Sequence, residues 1–77
     1  MQLARYRKKD LRFARLHVVR AEQRISRQEV IVRRLRMIGA PLDLEHALLG
    51  RLYDSKRRVL YRLKRIEDFL DATSQSA

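Results

Sequence analysis

The sequence predicts an all-α protein: an antiparallel, coiled-coil-like two-helix hairpin that pairs with a second copy to form a four-helix bundle. Three observations carry this. Apolar residues recur at alternating spacings of three and four through two long segments. A single Gly39-Ala40-Pro41 triplet separates those segments. Two Gly and one Pro in 77 residues exclude a turn-rich β domain or a low-complexity chain.

The elements follow in order within one domain, residues 1–77. The first helix is expected over about 4–38, carrying a seam of Leu11, Ala14, Val18, Ala21, Ile25, Gln28, Val32 and Leu35. A turn follows at 39–42, because Gly suits the positive φ just past a helix end and Pro cannot continue that helix. Asp43 and Glu45 then suit the positive end of a new helix dipole. The second helix is expected over about 43–72, with Leu49, Leu52, Lys56, Val59, Leu63, Ile66 and Leu70 on its seam and Leu42 and Glu45 extending it backwards. Residues 73–77, small and polar, are expected to fray.

Folding the chain back at 40–41 aligns the two seams. Leu11 then meets Leu70, Val18 meets Leu63, Ile25 meets Lys56 and Val32 meets Leu49. Between these layers Ala14 meets Ile66, Ala21 meets Val59, Gln28 meets Leu52 and Leu35 meets Glu45. The same register predicts an Arg15–Glu67 ion pair and brings Arg5, Arg7, Lys8 and Lys9 near Asp68 and Asp71. Gln28 and Lys56 interrupt the seam and are expected to hydrogen-bond or snorkel, specifying register at a cost in stability.

A two-helix hairpin leaves apolar surface uncovered. Leu16, Val19, Val30 and Met37 on the first helix, with Tyr53 and Leu60 on the second, lie off the seam, and Tyr61 lies beside them. A helix with two apolar faces packs on two neighbours, so these residues are the expected interface of a homodimer or of a protein partner.

The stretch from Ala21 to Glu29 (Ala-Glu-Gln-Arg-Ile-Ser-Arg-Gln-Glu), then Val32-Arg-Arg-Leu35, Gly39, Ala47-Leu-Leu49, Leu52 and Leu60, resembles short uncharacterised Arg-rich helical-hairpin proteins of alphaproteobacteria. The resemblance covers part of the chain, implies a helical hairpin and assigns no residue an activity.

Catalytic and metal chemistry find little support in the sequence. There is no Cys, which removes disulfides, thiolate ligands and a cysteine nucleophile. His17 and His46 lack acidic partners at a metal-ligand spacing, since the adjacent Glu45 and His46 point about 100° apart on a helix. Ser26, Ser55 and Thr73 lack a base with an orienting acid, and no Gly-rich phosphate loop is present. Glu22 and Glu29 lie about 10.5 Å apart by helix rise, a coiled-coil flank spacing. A non-enzyme without cofactor or metal is expected. No apolar run approaches a membrane span, and the basic start, Met1 to Asp10, has no apolar stretch behind it, so a cytoplasmic protein without an integral membrane segment is expected.

Charge is the distinctive feature. The chain carries 19 Lys and Arg against 9 Asp and Glu, net +10, and fifteen of the nineteen are Arg. Residues 1–38 hold 12 basic and 3 acidic side chains, whereas 39–77 hold 7 and 6. Lettering the seven-residue repeat a to g puts Leu11, Val18, Ile25 and Val32, with Leu49, Lys56, Leu63 and Leu70, at a, and Ala14, Ala21, Gln28 and Leu35, with Glu45, Leu52, Val59 and Ile66, at d. Arg20, Arg27 and Arg34 then occupy successive c positions of the first helix, and Arg51, Arg58 and Arg65 those of the second. In an antiparallel pair both rows fall on one side of the hairpin, alternating between helices at a step of about 5 Å. Arg24 and Arg62, at g, join them. Asp10 is the only acid at c or g, while Glu22, Glu29 and Glu67 lie at e.

Exposed Arg keeps small bundles soluble, but a merely soluble face mixes signs. Segregated Arg favours forked contacts to phosphate or carboxylate. The expected partner is nucleic acid, DNA or RNA, held by its backbone with low sequence specificity. An acidic protein surface is the alternative, and an anionic membrane surface a third possibility. Phe13 and Phe69 lie near this side at the open end and are expected to pack there as the end of the core.

Overall fold

Two helices, α1 (Lys8–Met37) and α2 (Asp43–Gln75), pack against each other as a hairpin in the computed structural model, which describes residues 5–75. The rod measures 60 × 23 × 15 Å. No helix among the described residues is long and apolar enough to cross a membrane.

The start of α1 is set by Asp10. Its carboxylate accepts the Arg7 backbone N–H at 2.7 Å, meeting one of the donors that a helix start leaves unpaired. Residues 5–7 are accordingly non-helical, so α1 begins later than the expected residue 4, which itself lies outside the described residues. Tyr6 turns back onto Phe69, edge to face, with ring centroids 5.5 Å apart. That contact seats Tyr6 beside the last turns of α2.

The end of α1 follows the Schellman pattern. Gly39 has φ 72°, the Ala40 N–H donates to the Leu35 carbonyl at 2.9 Å, and the Gly39 N–H donates to that of Arg36 at 3.2 Å. Pro41 then prevents continuation, and α2 opens with the His46 N–H donating to the Leu42 carbonyl at 2.8 Å. At the other end α2 is longer than the 43–72 expected. Residues 73–75 are helical rather than frayed, and the Thr73 hydroxyl donates to the Phe69 carbonyl at 2.8 Å; Ser76 and Ala77 lie outside the described residues.

Among the described residues those buried are Ala14, Ala21, Ile25, Gln28, Val32 and Ile66, all of them seam positions. Small Ala on α1 lets the helices approach closely, so Ile66 is wholly enclosed at 0% exposure. The other expected seam residues of both helices, Lys56 included, are half-buried.

Gln28 hydrogen-bonds, as a polar residue in the seam is expected to: its amide donates to the Glu45 Oε2 at 2.7 Å and to the Glu45 carbonyl at 3.2 Å. A buried amide needs an acceptor, and Leu52 offers none. Two other side-chain expectations need correction. The Arg15–Glu67 ion pair is not formed, and Asp68 and Asp71 do not pair with Arg5, Arg7, Lys8 or Lys9. The ion pairs among the described residues run along α2, Asp54–Arg57 and Lys64–Asp68. Exposed cross-helix pairs gain too little to order two long side chains. Phe13, expected to pack at the end of the core, is exposed, whereas Phe69 is half-buried against Tyr6.

Candidate functional site

Burial of the a and d positions fixes how each helix is rotated, and hence where its arginines lie. Positions e flank the seam on one side, c and g on the other. The e flanks meet directly, since the Tyr53 hydroxyl donates to Glu29 Oε2 at 3.4 Å and both residues are e positions. The rows at c and g therefore run along the opposite side of the rod.

All eight expected arginines, Arg20, Arg24, Arg27, Arg34, Arg51, Arg58, Arg62 and Arg65, are exposed. None of them is in an ion pair among the described residues. Arg65 alone has a ring neighbour, its guanidinium lying 5.9 Å from the Tyr61 ring centroid. Asp10, the acid on this side, is engaged by the Arg7 N–H. The hairpin thus presents exposed guanidiniums along one side that stand outside the described ion pairs, while Asp54 and Asp68, one turn away on α2, pair with Arg57 and Lys64 instead.

The electrostatics of the e side differ. Partial desolvation, with the neighbouring Glu29 carboxylate and its hydrogen bond, raises the Tyr53 phenol above its ordinary value. Glu22, Glu29 and Glu67 lie on this flank among Arg15 and Arg36, giving mixed charge.

Of the six expected interface residues, Leu16, Val19, Met37, Tyr53 and Leu60 are exposed, and Val30 is half-buried. They do not form one face. Leu16, Val30 and Met37 lie on the back of α1, opposite the seam, whereas Tyr53 and Leu60 lie on the e flank of α2.

Sequence reasoning missed a second apolar group, Ile31, Ile38, Leu44 and Leu48, all exposed around the turn. Its signal was present: these four occupy g and c positions, which between the turn and the open end, where Phe13, Phe69 and Ala72 lie, are otherwise polar or basic.

The recesses are open rather than enclosed. The one between the helix ends, about 700 Å³, is lined by Leu11, Arg12, Arg15 and Leu70. Among the described residues no group of three His, Cys, Asp or Glu is placed to hold a metal ion, and His17 and His46 are both exposed. No family model, curated protein or solved structure matches the chain.

Proposed function

We propose that the protein is a non-enzymatic, cytoplasmic nucleic-acid-binding hairpin, holding the phosphate backbone through its arginine side with low sequence specificity. The observation that carries this is the array of eight exposed arginines, unpaired with any described acid, on the side away from Glu22, Glu29 and Glu67. A guanidinium presents a rigid fork of donors that matches phosphate oxygens two at a time. Backbone contacts of this kind position a duplex or a strand and carry no base information.

Arg27→Glu with Arg58→Glu tests the reading. Both residues are exposed, so helicity by circular dichroism stays unchanged, while retention of DNA and RNA on a filter is lost. Unchanged retention contradicts the assignment.

A second reading, a protein-interaction module or homodimer, is favoured by the exposure of Leu16, Val19, Tyr53 and Leu60 on a rod with few enclosed residues. Solution mass as a function of concentration separates its two forms. A dimer covers that surface with a second copy, whereas a monomer at all concentrations leaves it for another protein.

A further inference from the structure

The turn end of the hairpin is apolar where loops are ordinarily polar. Met37, Ile38 and Leu44 are 85%, 77% and 84% exposed, the most exposed large apolar side chains among the described residues. Gly39 and Pro41 between them are exposed and carry no charge. Directly behind this cap, near the end of α1, Arg33, Arg34 and Arg36 are all exposed and outside the described ion pairs.

We propose that this tip inserts into the interfacial layer of an anionic lipid bilayer. The rod would then stand on the surface, with Met37, Ile38 and Leu44 among the upper acyl carbons and the three arginines at the headgroup phosphates. The spacing fits. By helix rise the arginine Cα atoms lie about 1.5 to 6 Å behind that of Met37, and interfacial apolar groups bury about 5 to 10 Å deep. Long arginine stems lie along apolar surface while the heads reach phosphate.

Charge complementarity selects an anionic surface. Of the two carboxylates at the start of α2, Glu45 is half-buried and held by Gln28, leaving Asp43 against three outward guanidiniums.

The test exploits the absence of Trp from the chain. Leu44→Trp and, as a mid-rod control, Tyr61→Trp are mixed with phosphatidylcholine vesicles with or without phosphatidylglycerol, carrying brominated lipids as depth-dependent quenchers. Expected is quenching of the tip tryptophan in anionic vesicles and none at position 61. Ile38→Ser with Leu44→Ser, both at exposed sites and with helicity checked by circular dichroism, lowers vesicle affinity about 100-fold, near tenfold per buried side chain. Arg27→Glu with Arg58→Glu leaves tip quenching intact, which separates this inference from nucleic-acid binding. Absence of vesicle binding, binding without tip quenching, or binding indifferent to the serines overturns it. So does a lipid-free dimer that the serines convert to monomer, which would make the tip's occupant a second copy.

Discussion

Gly39 and Gly50 answer an added methyl group in opposite ways. Gly39 sits at φ 72°, where an L side chain is strained, so Gly39→Ala is expected to cost about 1–2 kcal/mol in urea unfolding. Gly50 is interior to α2 with nothing within 4 Å of an added Cβ, so Gly50→Ala should stabilise by about 0.5–1 kcal/mol. Gln28 shows a different balance. Its amide is satisfied by Glu45, yet a leucine there would bury more apolar area than the hydrogen bond contributes. Gln28→Leu should therefore raise stability by about 1 kcal/mol while weakening the selection of one register. Tyr53 supplies a pH prediction. Its phenol is raised, so the fold favours the neutral form, and the bond to Glu29 contributes fully below the ordinary pKa near 10. That contribution is lost as pH rises through the raised value in the folded protein. Absorbance titration should show a tyrosine transition above pH 10 that Tyr53→Phe removes.

At the scale of the helices, the seam decides stability. Among the described residues Ile66 is the one large side chain wholly enclosed, and Ile66→Ala should cost about 2–5 kcal/mol in thermal or urea unfolding. Leu16→Ala, at an exposed site, should change monomer stability by no more than about 0.5 kcal/mol. The seam was legible because alternation by three and four is a property of the sequence itself. Gly39 and Pro41 announced the turn, and the rotation of each helix placed the arginines at c and g. What escaped prediction depended on where single atoms find partners. Gln28 was readable as polar in a seam, but not that its acceptor would be Glu45 rather than water. The α1 start moved to Lys8 because the Asp10 carboxylate takes the Arg7 N–H, a choice between neighbouring caps that composition does not make. The apolar tip was missed for another reason: Ile38 and Leu44 lie off the seam at g and c, and only the ends of the helices reveal that they stand together, uncovered, at the turn.

For the molecule as a whole, net charge of +10 on a thin rod means that association with any polyanion is steered and salt-sensitive. The tip continues one end of the arginine side and shares Arg34 with it, but Arg27 and Arg58 lie away from the turn, so substitutions there and at Ile38 and Leu44 separate the two without disturbing the seam. The most direct test of the central claim is a fluorescence-anisotropy titration of nuclease-treated protein against duplex DNA, duplex RNA and single strands at increasing salt. Binding is expected to be indifferent to base sequence, with log K falling linearly in log salt at a slope no steeper than about −7, the limit set by eight phosphate contacts. It is also expected to vanish in Arg27→Glu with Arg58→Glu. Absence of binding at physiological salt, or binding of equal strength by that double variant, would contradict the claim.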